Sequence, residues 1–109
     1  MSRILLVENH LILRQAFKGV LLHCFPGIII DEAGDGEEAF KIIYTNPPEI
    51  IFLDIKLPGE TGLALSKIIK KSHPHVTIII LSNYDLSVFP DVLSEYGIDY
   101  FILKSEIDM

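Results

Sequence analysis

The chain has 109 residues, half of them hydrophobic, and a net charge of −6: enough for one domain with a core and too few for a second. That charge opposes direct binding to nucleic acid or to an anionic membrane. A single cysteine, Cys24, excludes an intrachain disulfide framework, so a reducing, cytoplasmic setting is expected, with Cys24 as a small buried apolar residue.

The first apolar run, Ile4–Val7, is cut by Glu8, Asn9 and His10, too short for a signal-peptide core, and no later run approaches the roughly 20 residues of a membrane span. Helical spacing follows at Leu13, Phe17, Val20 and Leu21. The second run, Ile28–Ile30, leads to Asp35-Gly-Glu-Glu38, a capping carboxylate with an acid three residues on, which opens a helix through Ala39, Phe40, Ile42 and Ile43. Asn46-Pro-Pro48 stops that helix. The third run, Ile50–Leu53, precedes a Pro58-Gly59 turn and a helix that Thr61 can cap, carrying Leu63, Leu65, Ile68 and Ile69. Pro74 closes that region before the fourth run, Ile78–Leu81. Pro90 then demands a helix that starts near Phe89 or is kinked, and Gly97 suits its end. The fifth run is Tyr100–Leu103. The runs begin 22 to 28 residues apart, are unbroken rather than alternating, and are separated by helical stretches, the rhythm of a parallel α/β sheet buried on both faces.

The residues that follow these runs carry the chemistry. Glu8 and Asn9 follow the first, Asp54 the third, Ser82 the fourth and Lys104 the fifth. In a parallel sheet these positions share the carboxyl edge, where doubly wound folds build their sites. Acid, amide, hydroxyl and amine together suit phosphoryl transfer to a carboxylate. Asp54 is the candidate nucleophile. Glu8 and Asn9 offer oxygen ligands to a hard divalent ion such as magnesium, Lys104 pairs with a phosphoryl oxygen, and Ser82 donates a hydrogen bond to another. Taken singly, Glu8 and Asn9 could instead cap the first helix, Ser82 could only shape a turn, Lys104 could be a solvated charge and Phe101 plain core.

Ile4-Leu-Leu-Val-Glu-Asn-His10, Ile51-Phe-Leu-Asp-Ile-Lys-Leu-Pro-Gly59, Leu81-Ser82 and Tyr100-Phe-Ile-Leu-Lys104, in this order and spacing, resemble the receiver domain of two-component response regulators over Arg3 to Ser105. The resemblance implies a flavodoxin-like, doubly wound five-stranded sheet of order 2-1-3-4-5. It also implies transfer of a phosphoryl group to Asp54 from a sensor histidine kinase or phosphotransfer protein. Ser82 would move toward that group, Phe101 would act as an aromatic switch, and the backbone carbonyl of Lys56 would join Glu8, Asn9 and Asp54 around magnesium. Leu13-Arg-Gln-Ala-Phe17 and Ser105, where no proline follows the lysine, are most similar to receivers of LuxR/NarL-type regulators, whose output domain binds DNA; this domain itself would not, and would catalyse at most its own phosphorylation and dephosphorylation.

Asn9 departs from the family pattern, which usually has a second acid there, and implies weak magnesium binding and slow phosphorylation. Asn83 and Lys56 flank the acceptor and bear on the lifetime of the phosphoryl group. Three other functions compete. A haloacid-dehalogenase-type enzyme wants an acid where Lys56 stands. A nucleotide-binding domain wants glycines absent from Val7-Glu-Asn-His-Leu11. A pseudo-receiver, a binding module independent of phosphorylation, is motivated by Asn9 and opposed by Asp54, Ser82 and Lys104. His73-Pro-His75 lacks a third nearby ligand and reads as a solvated loop. Finally, Glu106-Ile-Asp-Met109 is too short for the fifth helix that receivers carry. Residues 1–109 are thus expected to be one receiver truncated before or within that helix, either marginally stable or self-associated as a homodimer.

Overall fold

Ile4 and Leu6 face one way along the first strand and Leu5 and Val7 the other, and both pairs are buried, because helices cover both faces of the sheet. The computed structural model describes residues 2–107. Its elements are β1 (Arg3–Val7), α1 (Leu11–Cys24), β2 (Ile29–Ala33), α2 (Gly36–Thr45), β3 (Ile50–Asp54), α3 (Gly62–Ser72), β4 (Thr77–Ser82), α4 (Pro90–Glu95) and β5 (Tyr100–Leu103). The strands form one parallel sheet in the order β2-β1-β3-β4-β5. One core contains Leu5, Val7, Ile51, Leu53, Ile78 and Ile80 with residues of α2 and α3. The other sets Ile4, Leu6, Phe52 and Leu81 against Phe17 and Leu21 of α1, with the Phe17 and Phe52 rings edge to face at 5.1 Å.

Local signals placed the helix ends. Asp35 caps α2 by accepting from the Glu38 N–H at 2.9 Å, and Glu38 Oε2 accepts in turn from the Gly34 N–H at 2.6 Å. Thr61 caps α3 through the Ala64 N–H. Pro90 occupies the first position of α4, where its missing N–H is harmless, and a separate 3₁₀ turn at Leu86–Val88, capped by Asp85, precedes it. Gly97 ends the α4 segment with φ +69°.

Three expectations need correction. β2 runs on through Asp31 and Glu32 to Ala33 rather than stopping at Ile30. Charges are tolerated on this edge strand because Arg3 pairs with Asp31 at 2.7 Å, while Arg14 and Lys18 of α1 pair with Glu32 at 3.1 and 2.9 Å. Cys24 is exposed, since it is the last residue of α1, a turn beyond Leu21, the last buried one. Ile68 points outward while Leu65 and Ile69 fill the core. Four α-helices are present among the described residues, and after β5 the chain makes one 3₁₀ turn, Lys104–Glu106. Of the last four residues, Asp108 and Met109 lie outside the described range.

Candidate functional site at the carboxyl edge of the sheet

The pairing register converts strand-end residues into neighbours. Val7 pairs with Leu53, so the next residues, Glu8 and Asp54, stand side by side at the ends of the adjacent strands β1 and β3. Ser82 pairs with Leu103, which sets Lys104 one step beyond β5 on the same edge. The Lys104 ammonium lies 2.8 Å from Asp54 Oδ1 and 3.3 Å from Glu8 Oε2. Both acids are buried, at 2% exposure for Glu8 and 4% for Asp54. Two buried carboxyls therefore share one cation, and the site carries a net negative charge whenever both are ionised.

Glu8 is the strained member. Burial pushes its carboxyl above the usual carboxylate range, the neighbouring Asp54 carboxyl adds to the rise, and Lys104 and the His10 N–H oppose it. Its Oε1 accepts from the His10 N–H at 3.2 Å, whereas Oε2 is buried with no hydrogen-bond partner, the Lys104 contact being an ion pair without hydrogen-bond alignment. An orphaned, buried carboxylate oxygen beside a second carboxylate is a donor set for a hard divalent cation, so these residues fit magnesium. Among the described residues no cluster of three or more His, Cys, Asp or Glu side chains is found. Position 9, next to Glu8, is asparagine, which offers an amide oxygen without a charge.

The remaining candidates divide. Ser82 is buried, but its hydroxyl is engaged in its own turn, donating to the Tyr84 carbonyl at 2.7 Å and accepting from the Tyr84 N–H at 2.9 Å. Phe101 is half-buried against the core beneath α2–α4. Asn9, Lys56 and Asn83 are exposed at the rim. The cap of α1 is neither Glu8 nor Asn9 but His10, whose Nδ1 accepts from the Leu13 N–H at 3.2 Å. The histidines of His73-Pro-His75 contribute nothing to the site: the His73 ring stands edge to face with Tyr44 and meets the Ser72 hydroxyl.

Sequence reasoning passed over two residues that build this edge. Gly62, the first residue of α3, donates its N–H to the Ile55 carbonyl at 2.7 Å and lies against the Asp54 main chain. Arg14 reaches from α1 to the Glu8 carbonyl oxygen at 2.8 Å. A visible signal for Arg14 existed: it sits three residues before Phe17, placing a cation on the buried stripe of an amphipathic helix.

Residues 4–108 match the response regulator receiver domain. The chain is 29% identical over 107 residues to the oxygen regulatory protein NreC of Staphylococcus carnosus, covering 97% of this chain and 49% of that protein. It thus spans about half the length of such curated relatives. Among solved structures it is similar to a LuxR-family two-component response regulator from Aurantimonas sp. SI85-9A1 (29% identity, TM-score 0.84, 96% of this chain and 75% of the other). It is also similar to the response regulator TrrA of Thermotoga maritima in complex with Mg2+-BeF (34% identity, TM-score 0.83, 97% and 89%).

Proposed function

Because this chain belongs to the response regulator receiver family, we propose that it is a phosphoacceptor, taking a phosphoryl group onto Asp54 from a phosphohistidine of a sensor histidine kinase or phosphotransfer protein. The observation that carries this reading is the contact of buried Asp54 with Lys104 at 2.8 Å, beside a buried Glu8 Oε2 that has no hydrogen-bond partner. An Asp54 carboxylate oxygen forms the new bond to phosphorus as the P–N bond to the imidazole breaks, and the electron pair leaves with the ring nitrogen. Glu8, Asn9, Asp54 and the backbone carbonyl of Lys56 would hold magnesium, which supplies charge neutralisation for the phosphoryl oxygens. The 2.8 Å contact of Lys104 with Asp54 supports a role in which the ammonium follows the charge as it moves from the carboxylate to the phosphoryl oxygens. Ser82 must exchange its bond to the Tyr84 carbonyl for one to the phosphoryl group, and Phe101 turns inward as α4 and β5 rearrange.

The partner downstream is an output domain or separate protein, in keeping with the similarity to NreC and to LuxR-family regulators, and it is the output domain that would contact DNA. The receiver catalyses nothing beyond its own phosphorylation and dephosphorylation. A cytoplasmic location follows from the proposed kinase partner. No described helix is long and apolar enough to cross a membrane. A homodimer is the proposed form of any self-association.

Intact-mass measurement after incubation with acetyl phosphate or phosphoramidate and magnesium tests the reading. One phosphoryl group should be gained by the parent and none by Asp54→Ala. Absence of any gain under all conditions would favour the pseudo-receiver, the second reading, which rests on Asn9. Asn9→Asp bears on both. Restoring a carboxylate at the mouth of a negatively charged site is expected to tighten magnesium binding by about thirtyfold, equivalent to about 2 kcal/mol. Titration followed by tyrosine fluorescence or NMR shifts measures this, and equal affinities for parent and variant would remove the case for Asn9 as the weak point.

A further inference from the structure

We infer that Arg14 is a positioning residue of the cation site, acting through the main chain of Glu8; this inference rests on the proposed function above. Every polar atom of Glu8 except one is fixed by a neighbour. Its N–H donates to the Ala33 carbonyl at 3.0 Å, its carbonyl accepts from Arg14 Nη1 at 2.8 Å, and its Oε1 accepts from the His10 N–H at 3.2 Å. Oε2 alone is left, buried and facing Lys104. A ligand held at its other three polar atoms loses little freedom when it binds a cation.

Arg14 is the member of that set that comes from a side chain, and it is itself braced. Its Nε donates to Glu32 Oε1 at 3.1 Å, so one guanidinium ties the β1–α1 elbow to β2. The planar fork suits this bridge because its donors diverge at fixed angles. Gln15 and Lys18 also hold Glu32, so the acid stays in place whether or not Arg14 is present. Space is reserved as well: a Cβ at Gly34 would lie 3.3 Å from Arg14 Nη1. The residue is mostly buried, with its side chain 17% exposed, and its guanidinium bonds to Glu32 and to the Glu8 carbonyl rather than to Asp54.

The test compares Arg14→Ala with Lys18→Ala in the 109-residue chain. Lys18→Ala removes a cation from the same Glu32 network but leaves the Glu8 carbonyl bonded. Arg14→Gln, which keeps a side-chain amide donor, serves if the alanine variant does not fold. Magnesium affinity by NMR titration is expected to fall about tenfold in Arg14→Ala and to stay within about twofold of the parent in Lys18→Ala. In the metal-free protein, hydrogen exchange at the Glu8 and His10 amides should quicken in Arg14→Ala and not in Lys18→Ala. Parent-like magnesium affinity in Arg14→Ala, or equal losses in both variants, would overturn the inference. If the parent itself binds no magnesium, the proposed cation site fails, and amide exchange alone then decides Arg14: unchanged exchange overturns its role.

Discussion

Replacing Gly62 with alanine is expected to destabilise the fold by about 3 kcal/mol or more and to lower the melting temperature by about 12 °C or more. The reason is geometric. A Cβ at this position would overlap the Asp54 carbonyl oxygen and come within 2.8 Å of the Asp54 carbonyl carbon and 3.0 Å of Ile55 Cα. All three neighbours are backbone, so no side chain can swing aside. Relief requires α3 to lift from the end of β3, which also breaks the Gly62 N–H bond to Ile55. Asp54 would then lose its place beside Lys104, so the variant should also fail to take up a phosphoryl group. Gly19→Ala is the matched control. Nothing lies within 4 Å of a Cβ there, and in the exposed interior of α1 the change should stabilise by up to about 1 kcal/mol. Thermal unfolding by circular dichroism checks both, and a Gly62→Ala protein melting within a few degrees of the parent would contradict the close approach.

Lys104→Met should destabilise the metal-free protein at neutral pH by about 2–3 kcal/mol, because it leaves Glu8 and Asp54 buried without their shared cation. The pH dependence gives the cause away. Glu8 already has its folded-state pKa raised, by burial first and by the Asp54 carboxyl second. A group shifted upward contributes stability that is present below its unfolded pKa and is lost as pH rises through its folded pKa. The parent without metal is thus expected to be more stable in mild acid than at neutral pH as far as this group is concerned. Removing Lys104 takes away the charge that lowers the Glu8 pKa, so the loss deepens in the variant. The gap between parent and variant should therefore be small in acid, where Glu8 is protonated, and widen toward neutrality. Glu8→Gln in the Lys104→Met background should recover most of it. Urea unfolding across that range measures the gap, and a gap independent of pH would show that Lys104 acts through packing of its stem rather than through charge.

These two residues show different limits of reading a chain. Lys104, Asp54 and Glu8 were legible because each follows an apolar run, and a parallel sheet brings all such ends to one edge whatever the details of packing. Their order and spacing also carried the likeness to receivers, and the match over residues 4–108 bears it out. Caps were legible for a related reason: Asp35, Thr61 and Pro90 act within three or four residues of themselves, so local chemistry suffices. Gly62 was not legible. Nothing near it in sequence announces that its Cα meets the Asp54 carbonyl, a contact set by how α3 descends onto β3.

By itself, then, the sequence determined the alternation of strands and helices, the starts of α2, α3 and α4, and which polar groups meet at the carboxyl edge, since these follow from periodicity and from short-range hydrogen bonds. Tertiary structure decided the rest. It extended β2 through Asp31 and Glu32 by supplying arginine and lysine partners from β1 and α1. It left Cys24 outside the core, set Gly62 against the Asp54 main chain, and left Glu8 Oε2 buried with no hydrogen-bond partner. Each of these outcomes depends on the register between strands, the depth of a helix on the sheet, or a side chain's choice among competing partners. Those are properties of atoms brought together from distant parts of the chain, and no local pattern encodes them.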